Sequence, residues 1–189
     1  MTLYRTVDPA GEPVTLADAK AQLRIAHDSE DALISGLIKA ARAEVEAQTG
    51  MALIDQSWRL AMDAWPHDGL VRLRRHPVRE ILSVTVYGEE GEAAVLEPAS
   101  YEADLLSRPA RLHFTLPPAP ERRLNGIEVD FTAGFGEAGT DVPDLLKRAV
   151  LMLVAQWYEF RAVFGAQDQP VSIPPGFDRL IAGYRTGRL

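Results

Sequence analysis

Residues 129–143 read VDFTAGFGEAGTDVP, and within them GFGEAG (134–139) fits the glycine fingerprint G-x-G-x-x-G letter for letter, between a strand-like run and a helix-like run. Three glycines ahead of a helix let a backbone approach a pyrophosphate held at the helix N-terminus. A dinucleotide fold also needs a second parallel strand, which brings an acidic residue to the ribose about twenty residues later. Here the helical run is followed by prolines and one more short helix, so the βαβ unit cannot close. The helix start falls near Pro143, beyond Gly139, and Glu137 and Asp141 would meet a pyrophosphate with negative charge. The glycines therefore read as a bend out of a strand by positive-φ turns. No cofactor is expected.

Upstream of that bend, Ile127, Val129 and Phe131 point one way and Glu128, Asp130 and Thr132 the other, the pattern of a strand with one wet face. The same period of two starts at Gln56. Trp58, Leu60 and Met62 alternate with Arg59, Ala61 and Asp63, Val71 and Leu73 alternate with Arg72 and Arg74, and residues 81–87 are β-branched and aromatic. The turn Gly88-Glu89-Glu90-Gly91 suggests a hairpin into residues 94–96. Short strands are expected near 101–104 and 111–116. Nearer the N-terminus, Thr15 with Asp18 predicts a capped short helix carrying Leu16, Ala19 and Leu23. A second helix is predicted from Asp28 or Ser29 to Gly50, with Leu33, Ile34, Leu37, Ile38, Ala41 and Val45 on its apolar face. Its far face, with Lys39, Arg42, Glu46 and Gln48, is expected to be solvated or to meet a partner. The first dozen residues read as an arm or an extended lead-in.

After the bend, Pro143 suits a first helical turn that Asp141 or Thr140 could cap. LLKRAVLMLVAQWYEF is apolar on more than one side, as expected of a helix buried in the fold or covered by other subunits. A breaker stretch, GAQDQPVSIPPG, then leads to a last short helix from Phe177 to about Tyr184. The pattern is α+β: two N-terminal helices, an inserted block of about six short antiparallel strands, and two C-terminal helices. A mainly helical core in one domain, 1–189, with 56–132 as its β-rich portion, is the expectation.

The 189 residues, 47% hydrophobic and 25% charged with 13 prolines and 14 glycines, suit one globular domain. No run reaches the roughly 18 uninterrupted apolar residues of a membrane span, and MTLYRTVDPAGEP has no apolar h-region, so neither membrane insertion nor export by that route is expected. With no cysteine, disulfides, thiolate metal sites and cysteine nucleophiles are excluded, and a reducing, cytoplasmic origin fits. A net charge of -7 argues against holding nucleic acid by the overall field.

His27, His67, His76 and His113 show no metal-ligand spacing, the serines lack a nucleophile elbow, and Glu89, Glu90 and Glu92 read as a solvated hairpin tip. No catalytic set and no metal site are expected. Arg72, Arg74, Arg75 and Arg79 form the local basic stretch, a candidate for nucleic-acid contact, but without an aromatic for base stacking. Arg72 and Arg74 suit the exposed face of an edge strand, where charge blocks unwanted pairing. Trp157, Tyr158 and Phe160 read as core, with Glu159 and Arg161 as a candidate ion pair at the helix end. Arg179, Arg185 and Arg188 make a basic end, read as a polar tail or a docking tail for an acidic partner.

Taken in order, VTLADAKAQLRI, HDSEDALISGLIKAARAEVEAQTG, QSWRLAMDAWP, VDFTAGFGEAGTDVP and LLKRAVLMLVAQWYEFRAVFG resemble the head-tail connector, or adaptor, proteins of tailed bacteriophages and phage-derived gene transfer agents. The resemblance covers almost the whole chain. The family's strand-loop-helix passage is matched by Phe131, Ala133, Gly134, Phe135, Gly136, Val142 and Pro143, and its W-Y-E-x-R-like signature by Trp157, Tyr158, Glu159 and Arg161. These positions are implied to be structural, with Gly134 and Gly136 in the turn into the main helix and the third glycine incidental.

The resemblance implies a ring, commonly twelvefold, beneath the portal vertex, joining the portal to head-closure and tail-side neck proteins. DNA would pass through its channel without sequence-specific binding. It implies a place at the neck of a virion or phage-like particle, with assembly in the host cytoplasm. Arg179, Tyr184, Arg185 and Arg188 are the candidate portal-docking residues. A connector predicts assembly without turnover, a nucleotide-binding enzyme predicts cofactor-dependent stabilisation, and a nucleic-acid-binding module predicts salt-sensitive binding through residues 72–79.

Overall fold

The computed structural model describes residues 1–160 and 173–185. The chain divides into two compact units, Met1–Ala10 with Asp55–Phe135, and Gly11–Ile54 with Gly136–Leu189.

The first unit is built of strands. Its larger sheet has the order β1-β2-β8-β4-β5, from β1 (Thr2–Val7), β2 (Gln56–Met62), β4 (Val78–Tyr87), β5 (Ala93–Val95) and β8 (Ile127–Ala133). Its smaller sheet has the order β3-β7-β6, from β3 (Leu70–Leu73), β6 (Glu102–Asp104) and β7 (Ala110–His113). Every pairing is antiparallel. The alternation read from the sequence sets which face is buried. Ile127, Val129 and Phe131 of β8 are fully buried, beside Leu60 on β2 and Val84 on β4. In the smaller sheet Val71, Leu73, Ala110 and Leu112 form the buried face. A fully buried side chain of this size contributes about 1.5–3 kcal/mol, so these few strands carry much of the unit's stability.

The second unit is helical among its described residues. α1 (Leu16–Leu23) starts with the expected box: the Asp18 N–H donates to Thr15 Oγ1 and the Thr15 N–H to Asp18 Oδ2, both at 3.0 Å. α2 (Asp31–Thr49) ends at Gly50, whose φ of 73° suits glycine and whose N–H donates to the Glu46 carbonyl at 2.9 Å. α3 (Asp144–Phe160) and α4 (Phe177–Ile181) complete it. The core joins Ile34, Ile38 and Val45 of α2 to Leu146, Val150 and Leu153 of α3, and is closed by Phe177 and Ile181 of α4.

The α+β class holds, but three expectations change. The protein is not mainly helical, because one of its two units is made of strands. The N-terminal residues are extended, as one of the two readings had it, but they are no free arm: β1 pairs along β2 from Thr2 opposite Ala61 to Val7 opposite Ser57, and its threonines, Tyr4 and Val7 suit a pleated edge. The far face of α2 is not wholly solvated, since Lys39 and Gln48 are exposed but Arg42 and Glu46 are buried. Arg42 donates to Glu12 at 2.8 Å and to Glu46 at 3.1 Å, and Glu46 accepts the Leu53 N–H at 2.9 Å. Burial works against the Arg42 charge, yet these carboxylates raise its pKa above the ordinary value. α2 also begins at Asp31, slightly later than the sequence suggests.

Candidate assembly interfaces

The loop carrying GFGEAG is closed by groups of the same chain. At Gly134 an added Cβ would lie 2.5 Å from the backbone N and Cα of Asp55, and the Gly134 N–H donates to the Pro77 carbonyl at 2.9 Å. At Gly136 a Cβ would lie 2.6 Å from the Asp141 carboxyl carbon, and that carboxylate accepts the Ala138 N–H at 3.1 Å. Two amides that a phosphate would use are thus engaged, one of them by a carboxylate. α3 starts beyond the fingerprint, as expected. Gly139 is incidental to a fingerprint but not to the fold, because its Cβ would stand 2.8 Å from the Pro13 carbonyl oxygen. Phe131 is fully buried, Phe135 half-buried, and Pro143 leads into α3, where its carbonyl accepts the Leu146 N–H at 2.9 Å.

The basic stretch is spread over different surroundings. Arg72 lies exposed on the edge strand β3 and pairs with Asp68 at 2.8 Å; Arg74 is exposed just beyond. Arg75 stacks over Trp58 at 4.5 Å, and Arg79 approaches Asp55 at 3.7 Å. The solvated-edge reading of Arg72 and Arg74 fits this placement.

On α3, Trp157, Tyr158 and Phe160 are half-buried, where the sequence suggested core. The Tyr158 hydroxyl donates to the Glu30 carboxylate. Arg161, and with it the Glu159–Arg161 pair, lies outside the described residues, as does Arg188. Of the other C-terminal positions, Arg179 is exposed and Tyr184 half-buried, while Arg185 donates to Asp178 at 2.6 Å and Gln48 at 3.1 Å. The structure thus brings Arg179, Tyr184 and Arg185 onto one short segment anchored by Phe177 and Ile181.

Sequence reasoning missed the ion-pair network of the larger sheet, whereas the second apolar side of α3 was legible in the sequence. On the polar face of the larger sheet, Arg59 binds Asp130 through two bonds of 2.7 and 2.8 Å and Glu128 at 2.9 Å, while the Tyr87 hydroxyl donates to Glu128 at 2.8 Å. Asp130 chiefly raises the Arg59 pKa, and the Glu128 bond raises that of Tyr87. The alternation of β8 put these acids on one face, but their partner lies on β2. In the helical unit, two leucines are exposed: Leu33 on α2 to 40% and Leu145 on α3 to 52%. Asp18 and Gln22 of α1 and Arg148 and Leu151 of α3 line an open groove of about 540 Å³. These helix faces can bury side chains of a neighbour. Among the described residues no group of three His, Asp or Glu side chains could hold a metal ion, and no helix is long and apolar enough to cross a membrane.

Comparison with known proteins shows what this chain is similar to. Residues 13–85, which run from before α1 into β4, match the family described as Phage gp6-like head-tail connector protein. A chain of the virion of the native gene transfer agent (GTA) particle is 29% identical, with a TM-score of 0.84 over 100% of this chain and 97% of that one. Chains from the neck of the empty GTA particle computed with C6 symmetry and from the neck of the native particle computed with C12 symmetry are 28% and 29% identical, with TM-scores of 0.82 and 0.80 and the same coverage. No curated protein matches the sequence. The chain thus carries a head-tail connector signature over α1, α2 and the first strands, and it is similar from end to end to chains of GTA particles.

Proposed function

We propose that this protein is a structural connector at the neck of a phage-like particle, a ring-forming adaptor that joins the DNA-filled head to the tail. The observation that carries the reading is its likeness, over its full length, to a chain in the GTA neck computed with C12 symmetry. A ring of identical subunits needs two different, complementary faces on each copy. The exposed leucines of α2 and α3 offer apolar surface for one such contact, and the polar face of the larger sheet offers charged surface for another.

The finer assignments follow from this role. The portal is the partner on the head side, head-closure or tail-side neck proteins are the partners on the other, and self-association is twelvefold. Arg179, Tyr184, Arg185 and Arg188 dock on the portal. DNA passes through the channel without sequence-specific binding, eased by the acidic balance of the chain, which repels phosphate. The role asks for no turnover.

Electron microscopy of the chain mixed with its cognate portal tests the proposal. The expected image is a ring of this protein seated on the portal. Purified particles whose neck lacks the polypeptide would overturn it.

A further inference from the structure

Four strands lie at sheet edges in the first unit, and three of them are protected against pairing with another chain. β1 carries Arg5 and a register irregularity between Arg5 and Val7, β3 carries Arg72, and β6 carries Glu102 and Asp104. Charges and bulges of this kind are the usual means of blocking an open edge. β5 has neither. Its residues Ala93, Ala94 and Val95 are exposed, Val95 to 64%, and the following Leu96 adds no charge.

The hydrogen bonds of the hairpin show which peptide groups of β5 are free to pair. The Gly88 N–H donates to the Glu92 carbonyl at 2.9 Å and the Leu96 N–H to the Val84 carbonyl at 2.8 Å. Ala94 lies between them, opposite Val86, so the even-numbered residues turn their peptide groups toward β4. Ala93 and Val95 must turn theirs outward. Beside this edge lies a groove of about 320 Å³, formed by Val86, Ala94, Pro118 and Ala119, with Glu92 and Glu121 at its rim. The two carboxylates converge on Gly88, where an added Cβ would stand 2.6 Å from Glu92 and 3.7 Å from Glu121. Glu89, Glu90 and Glu97 are exposed around the same hairpin.

We propose that the outer edge of β5 is a docking strand for an extended, basic segment of a partner protein, which adds to the larger sheet as a sixth strand. Its backbone bonds to Ala93 and Val95, one apolar side chain enters the groove beside Ala94, and flanking lysines or arginines meet Glu92, Glu97 and Glu121. Backbone pairing supplies affinity, and the groove and carboxylates supply selectivity. The proposal stands apart from the connector role, since it rests on the edge alone.

The test uses the isotope-labelled full chain and a synthetic peptide of alternating lysine and valine, with the glutamate-valine peptide as its counterpart. The lysine peptide is expected to slow hydrogen exchange at the Ala93 and Val95 amides about tenfold at saturation. Val95→Pro removes an outward N–H that the β4 ladder does not use, and Val95→Lys sets a like charge against the peptide. Each should weaken binding about tenfold, whereas Val95→Thr should retain it. If Val95→Pro disturbs the hairpin, seen as lost protection at Ala94 and Leu96, Val95→Lys decides. Absence of protection at Ala93 and Val95, equal binding by Val95→Lys, or equal binding of the glutamate peptide would overturn the proposal. So would protection of the same amides by concentration-dependent self-association without peptide, which would make a second copy the occupant.

Discussion

The Arg42 guanidinium and the Glu46 carboxylate stand 3.1 Å apart, one turn along α2, with both side chains less than a tenth exposed. Neither is alone with the other, since Arg42 also holds Glu12 and Glu46 also receives the Leu53 N–H. Removing one member of a buried pair strands the remaining charge, so Arg42→Met is expected to destabilise the protein by about 3 kcal/mol. Glu46→Gln keeps an acceptor for Leu53 and should cost less. Urea unfolding followed by far-ultraviolet circular dichroism measures both, and equal losses would refute this division of roles.

Glycine is required at Gly134 by contact with backbone, and at Gly136 by contact with a side chain. Gly134→Ala drives its methyl against the Asp55 backbone, which directly precedes β2 and has little freedom to move. Gly136→Ala displaces the Asp141 carboxylate, which can swing aside at the loss of its bond to Ala138. The first should cost about 2–3 kcal/mol and the second about 1 kcal/mol. Thermal unfolding of the two variants checks the order, and a milder Gly134→Ala would contradict it.

His76 is 2% exposed, and neither ring nitrogen has a hydrogen-bond partner among the described residues. Burial first, then the charges of Arg108 and Arg75, holds its pKa below the ordinary 6.5. Above about pH 6.5 the ring is neutral in both folded and unfolded chains, and it adds no pH dependence. As the pH falls below that value the unfolded chain takes up the proton first, so stability drops until the folded ring also titrates. His76→Leu should flatten this part of the profile. Unfolding midpoints measured between about pH 7 and 5 report it, and parallel profiles for the two proteins would exclude His76 as the cause.

Local signals made much of the architecture readable. Thr15 with Asp18 marked the start of α1, Gly50 marked the end of α2, and the alternation through residues 127–132 fixed which face of β8 is buried. The features that escaped depend on partners distant in sequence. Nothing near Thr2 announces Ala61 across the sheet. Arg42 and Glu46 looked like surface because Glu12 and Leu53, which satisfy them, lie off the helix. Gly139 looked idle because the carbonyl it accommodates belongs to Pro13. The connector role was legible for a different reason, since it rests on the order of several short stretches and not on one set of reacting groups.

The C-terminal segment separates fold from docking in a way that truncation can exploit. Phe177 and Ile181 are fully buried and hold the segment to its unit, each worth about 1.5–3 kcal/mol of burial. Beyond Gly183, Tyr184 is half-buried and the exposed Arg185 makes its bonds to Asp178 and Gln48 at the surface, where such pairs contribute about 0–1 kcal/mol. A chain ending at Gly183 should therefore keep its unfolding midpoint nearly unchanged while losing Tyr184, Arg185 and Arg188 from the proposed portal contact. Arg179→Glu in the full-length chain should weaken the same contact by reversing one charge without touching Phe177 or Ile181. Binding to the purified portal, followed by co-sedimentation beside the unfolding measurement, tests both. Retained binding by the shortened chain would assign the portal contact to another surface.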